Sequence, residues 1–207
     1  VLWLLFLFAA YGYGGPPVDV YAAVADNMRE TLIAGDYYIG SRDAYRDDPD
    51  GPRTPQRGDV ALFRPYAGDR RFFASRVIGL PGDDVEMSGG EVVLNGTPLE
   101  RTEVVDPPAL TLPGGVRRFT ERLPNGVRYV TRDSEPDFFL DDTPVVHVPA
   151  GQYFLLGDNR DNSTDSRVAG VGTIPLERFL ARAGTVILSI SPGTGALRPD
   201  RILMVIR

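Results

Sequence analysis

The stretch Gln152–Pro175, QYFLLGDNRDNSTDSRVAGVGTIP, runs a short apolar strand straight into a dense polar cluster. Between Gly157 and Arg167 stand three acids, two arginines, two asparagines and two serines. A hairpin reversal needs only two to five residues of turn chemistry, so this cluster exceeds what turning the chain requires. By composition alone it reads as an Asx-rich turn whose side chains bond their own backbone. Its meaning depends on what surrounds it.

Outward from that stretch the pattern is one of short strands. DYYIGS (Asp36–Ser41), DVALFRP (Asp59–Pro65), RFFASRVIGL (Arg71–Leu80) and DVEMSGGEVVLNG (Asp84–Gly96) are strand-like runs punctuated by Gly, Pro and Asp. Gly89-Gly90 and Asn95-Gly96 read as hairpin turn pairs. From about Glu100 to Pro149 the regularity loosens, with DPPAL, LPGG and RLPNG interrupting alternating stretches such as GVRYVTR and TPVVHVP. Beyond it, PLERFLARAGTVILSIS (Pro175–Ser191) begins as a helical turn and becomes an apolar strand, and RILMVIR (Arg201–Arg207) reads as a closing strand. With 23 Gly and 18 Pro in 207 residues, the chain is mainly β with many turns.

Residues 1–13, VLWLLFLFAAYGY, are uncharged and mostly apolar. As a helix they would reach only about 20 Å, against a bilayer core of about 30 Å. The chain starts without Met, so the segment reads as part of a membrane anchor whose upstream end lies outside the sequence; a short core helix or a signal-peptide core are the alternatives. The triplet Ala23-Val24-Ala25 fits a small-x-small cleavage pattern but stands far from the apolar run.

The inventory narrows the chemistry. There is no Cys and a single His, His147, which excludes disulfides, thiol nucleophiles and zinc clusters. All 22 basic residues are Arg, with no Lys anywhere in the chain. The net charge of -6 argues against nucleic-acid partners. No cofactor or metal is implied.

Four segments together change the weight of the polar cluster. NMRETLIAGD (Asn27–Asp36), QRGDVALFR (Gln56–Arg64), SRVIGLPGDDVEMSGGEVVLNG (Ser75–Gly96) and GDNRDNSTDSRVAGVG (Gly157–Gly172) resemble, in order, the sequence boxes of the type I signal peptidases. The resemblance covers nearly the whole chain except a stretch from about Glu100 to His147, where that family carries a variable lobe. It implies a mainly β fold of two antiparallel β lobes behind an N-terminal apolar membrane segment. Residues 24–96 and 151–207 would form the peptidase-like core, with 97–150 an inserted β lobe. It also implies a location in the cytoplasmic (inner) membrane with the main domain outside, and signal peptides or preproteins as partners.

The family cuts signal peptides with a Ser nucleophile and a Lys base kept neutral by burial. Carried over by position, the nucleophile is Asn27, the hydroxyl of the oxyanion hole is Ala25, and the Lys base is Ser75. None can do its family's work, and Arg cannot replace the base because its guanidinium stays protonated. A Ser75, Ser163 or Asp26 site rebuilt on a carboxylate base would need a strongly raised pKa. His147 falls on the approach to a different strand. The family's Pro two residues after Met28 is Glu30 and the Gly before the nucleophile is Asp26, which places two acids beside the place where an oxyanion would grow.

Scaffold positions persist. The resemblance makes Asp158 the partner of Arg76, pairs Asp165 with Arg167, and assigns Ser163 to hold the missing Lys ammonium. Met28, Leu32 and Ile33 would edge an apolar cleft for an extended peptide. The reading is a catalytically degenerate homologue that binds signal peptides or an export partner. Its rivals are an active peptidase with substituted chemistry and a structural subunit of an active paralogue.

Overall fold

The computed structural model describes residues 18–48, 51–105, 115–135 and 137–207. The apolar segment 1–13 lies outside them. Among the described residues no helix is long and apolar enough to cross a membrane.

The architecture is mainly β and antiparallel. Strands β1 (Val18–Ala22), β2 (Asp36–Ser41), β3 (Val60–Phe63) and β4 (Phe73–Gly79) come first. The hairpin β5 (Asp84–Ser88) and β6 (Glu91–Leu94) follows, then β7 (Glu100–Glu103), β8 (Arg117–Arg122) and β9 (Arg128–Asp133). The chain closes through β10 (Gln152–Leu156) and the long β11 (Phe179–Ser189). The main sheet runs β1-β2-β11-β3-β4-β10 and ends on the two-residue strand Ile174–Pro175.

Period-two alternation explains why the central strands read as continuous apolar runs. Val60 and Leu62 of β3 enter one core with Met28, Leu32, Tyr38 and Val186, while Ala61 and Phe63 enter another with Val77, Leu155 and Ile174. The turn pairs act as expected. Gly89-Gly90, at φ +55° and +78°, joins Ser88 to Glu91, and Asn95-Gly96, at φ +52° and +74°, joins Leu94 to Thr97. Positive φ at both central positions is the twist-matching hairpin turn that favours Gly and Asn.

Strands β7, β8 and β9, which fall in the stretch 97–150, form a separate three-stranded sheet, here called the lobe. Its core does not stop at residue 97. Leu123 and Tyr129 pack with Val85, Met87, Val92 and Leu94 of the preceding hairpin, and β5 pairs with Val146–His147. The hairpin assigned above to the core therefore shares its apolar interior with the lobe.

The closing segment departs from its sequence pattern. Pro199–Arg201 is a 3-10 turn, and Arg201–Arg207 meets β11 through the single bridge Thr185–Val205 with the amides of Val186, Leu203 and Ile206. The register of β11 shifts between Ala183 and Val186, and Leu203 sits at φ +66°, so a regular ladder cannot propagate there.

Candidate functional site

The site forms where the turn after β1 meets β4 and the polar loop after β10. Residues 26–32 fold as a tight turn, with Arg29 N donating to Asp26 O at 3.0 Å and Leu32 N to Met28 O at 2.8 Å. Met28 and Leu32 are anchored in the core beneath it. Asn159 clamps this turn from the polar loop: its backbone N donates to Asn27 O at 3.0 Å and its Nδ2 to Asp26 O at 2.9 Å. Gly157 permits the approach, since a Cβ there would lie 2.7 Å from Asn27 O and 2.2 Å from Ser163 Oγ.

Asn27 lines the resulting groove, and its Nδ2 donates to Ala74 O at 2.6 Å. Ser75 is fully buried, and its hydroxyl donates to the same carbonyl at 2.8 Å. Ser163 Oγ is buried and has no hydrogen-bond partner among the described residues. Ala25 contributes only a methyl group to the groove wall. Neither the Ser75 nor the Ser163 hydroxyl is paired with a carboxylate or imidazole among the described residues, the pairing that activates a nucleophile. His147 is exposed and its Nδ1 lies 2.8 Å from Asp84 Oδ1 on the lobe.

The two acids expected to oppose an oxyanion are otherwise engaged. Asp26 pairs with Arg29 at 2.8 Å, and Glu30 pairs with Arg118 at 3.1 Å and Arg132 at 3.5 Å. Their charge is therefore compensated, which corrects the simple repulsion read from sequence. Glu30 sits at φ +96°. Proline is locked near -65°, so the turn has a backbone the family's Pro could not adopt.

The scaffold pairs come together. Arg76 and Asp158, both essentially unexposed, form a two-point ion pair with Nε–Oδ1 at 2.8 Å and Nη2–Oδ2 at 2.7 Å. Thr31 donates its hydroxyl to Asp158 as well. Arg76 Nη1 further donates to Gly58 O at 2.8 Å and Arg207 O at 2.7 Å. Asp165 receives Arg167 Nε and Nη2, each at 2.9 Å, and Gly157 N at 3.0 Å.

Sequence reasoning missed a second buried group. Arg160 donates to Glu121 of β8, and the Tyr129 hydroxyl of β9 donates to Glu121 at 2.7 Å. Burial, reinforced by the neighbouring Glu121 charge, pushes the Tyr129 phenol well above its ordinary value. The Arg76 guanidinium lies 4.3 Å from the Tyr129 ring centroid, so the lobe and the polar loop are fused around these charges. Only Arg160, inside the polar cluster, carried any sequence signal.

The groove itself encloses about 660 Å³. It is lined by the buried Met28, Leu32 and Tyr38, by Ala22–Ala25 at the end of β1 and just beyond it, and by Arg70–Ala74 leading into β4, with Asn162 and Thr164 from the polar loop. Ile33, expected at its edge, does not line it; its amide instead donates to Asp36 Oδ2 at 3.0 Å.

The family model described as "Signal peptidase, peptidase S26" matches residues 2–188. Signal peptidase I of Rickettsia akari is 40% identical over 189 residues, covering 80% of this chain and 70% of the relative. Signal peptidase I of Rickettsia felis is 39% identical over 195 residues, covering 83% and 72%. A crystal structure of a signal peptidase I from Enterococcus faecalis aligns with a TM-score of 0.36 at 24% identity, over 62% of this chain and 96% of that one. The chain belongs to the signal peptidase family, peptidase S26.

Proposed function

We propose that this chain is a catalytically degenerate member of its family, anchored in the cytoplasmic membrane with its main domain outside, which binds signal peptides or preproteins without cutting them. The observation that carries this reading is that Asn27 and Ser75, at the family's nucleophile and base positions, both donate to the Ala74 carbonyl. The Asn27 bond ties the turn to β4, and both side chains spend their hydrogen on a backbone carbonyl rather than on a base. Losing the nucleophile or base of a serine protease costs about 10⁶ in turnover, and here the hydroxyl of the oxyanion hole is also replaced by Ala25.

Binding is supported by the strand edges along the groove. Among the described residues β1 pairs only with β2, and β4 pairs with β10 only from Arg76 onward, so Phe73–Ser75 lies beyond that ladder. An extended peptide can add to such edges through its main chain. The names of the relatives favour a second reading, an active peptidase with substituted residues.

One experiment separates the two readings. Purified protein incubated with a preprotein bearing a small-x-small site should leave it uncut, while the combined variant Asn27→Ser, Ser75→Lys, Ala25→Ser should gain cleavage at that site. Turnover by the unaltered protein would overturn the proposal in favour of the active enzyme.

A further inference from the structure

We infer that the groove selects an extended apolar peptide carrying one acidic side chain, held by Arg70 about four residues from the peptide residue beside Asn27. This rests on the peptide-groove reading above and adds to it a chemical requirement on the ligand.

The argument begins with charge. The charged residues lining the groove are Arg70 and Arg71, and no carboxylate lines it, although the chain as a whole carries 28 acids against 22 bases. The two arginines are not equivalent. Arg71 is committed to Asp69, with Nη2–Oδ2 at 2.8 Å and Nε–Oδ1 at 3.2 Å. Exposed Arg70 has no ion pair among the described residues. Asp69 is thus answered by one guanidinium, and the second remains available to a ligand.

Position follows from the wall. Asn27 and Ala74, joined by a hydrogen bond, both line the groove, and Arg70 stands four positions before Ala74. An extended chain advances about 3.3 Å per residue, so Arg70 lies up to roughly 13 Å along the wall from Ala74. Between them Arg71 is taken up by Asp69, and the rest of the lining is apolar: Phe72 meets Tyr21 edge-on at 5.5 Å between ring centroids, and Phe73 follows it. A peptide carboxylate in this middle stretch would lose water and gain no partner, whereas one at Arg70 gains a cation at the solvent edge. Discrimination therefore has an attractive and a repulsive element.

The test uses the purified protein and dye-labelled synthetic peptides read by fluorescence anisotropy. Each peptide is alanine-rich with Asp, Asn or Lys four residues from a central alanine, placed on the N-terminal side in one series and on the C-terminal side in the other. In one of the two series the Asp peptide should bind about two- to fivefold more tightly than its Asn counterpart at low ionic strength, the scale of an exposed ion pair. The preference should fade in high salt. Arg70→Ala should equalise Asp and Asn peptides, and Arg70→Glu should favour Lys. Measurable binding with no Asp preference in either series, or a preference that survives Arg70→Ala, would overturn this inference and leave the peptide groove standing. Failure of every peptide to bind would overturn the groove reading and this inference with it.

Discussion

Asn27 ties two segments of the groove together. A carboxamide cannot attack a carbonyl, but it can bridge, and its 2.6 Å contact with Ala74 O joins the turn after β1 to β4. Around it the charged scaffold is costly to disturb. Arg76 is fully buried against Asp158, so removing the guanidinium leaves a buried carboxylate without its direct ion-pair partner. Arg76→Ala should cost about 3–5 kcal/mol in urea-induced unfolding. A loss under 1 kcal/mol would show that Asp158 finds another partner. That scaffold was legible in sequence because Arg76, Asp158, Asp165 and Arg167 sit in long family strings. The charge compensation of Glu30 was not, because Arg118 and Arg132 come from a lobe whose pairing with the turn has no local signal.

At the scale of elements, the site depends on how closely the turn after β1 approaches the end of β11. Gly35, at φ +92°, accepts Ile190 N through its carbonyl and donates its own N–H to Ala23 O. A Cβ at this position would lie 1.9 Å from Ile190 O. Backbone strain and overpacking then act together, so Gly35→Ala should destabilise by about 2–4 kcal/mol. Equilibrium denaturation measures this, and a near-neutral result would mean the two segments can part without loss. The hairpins were readable because Gly89-Gly90 and Asn95-Gly96 are local turn chemistry. The failure of Arg201–Arg207 to continue as a strand was not, because it follows from the irregular register of β11.

Across the whole molecule, two sets of carboxyls pull the pH dependence of stability in opposite directions. Burial pushes Asp133 above its ordinary value despite Arg101, and the Asp161 charge adds to the rise. Burial likewise raises Asp141, with Phe138 N opposing and the charges of Asp161 and Asp133 assisting. Carboxyls raised on folding hold protons more tightly in the native state, so their contribution is full in acid and is lost as pH rises through their folded values. For Asp36 burial acts upward, but Arg201, the Ile33 amide and the Ser189 hydroxyl outweigh it and hold the carboxyl below its ordinary value. Its contribution is present above the unfolded value of about 3.9 and is lost as pH falls through the folded one. Stability should therefore increase as the pH drops from neutrality toward the ordinary carboxylate range, then fall in stronger acid. Thermal unfolding across pH should show this maximum, and Asp141→Asn should flatten its neutral side; an unchanged slope in that variant would remove Asp141 from the account.

The sequence by itself determined most of the strands, the tight turns, the family and the absence of lysine, because alternation, Gly-Asn turn chemistry and a residue inventory are all written locally. Only the tertiary structure decided that Asn27 holds Ala74, 47 positions away, that Thr31 reaches Asp158, 127 positions away, and that Glu121 and Tyr129 close around Arg160. Such partners are chosen by how the packed sheets bring distant strands together and by the cost of leaving a buried charge alone. No short window of sequence contains that choice.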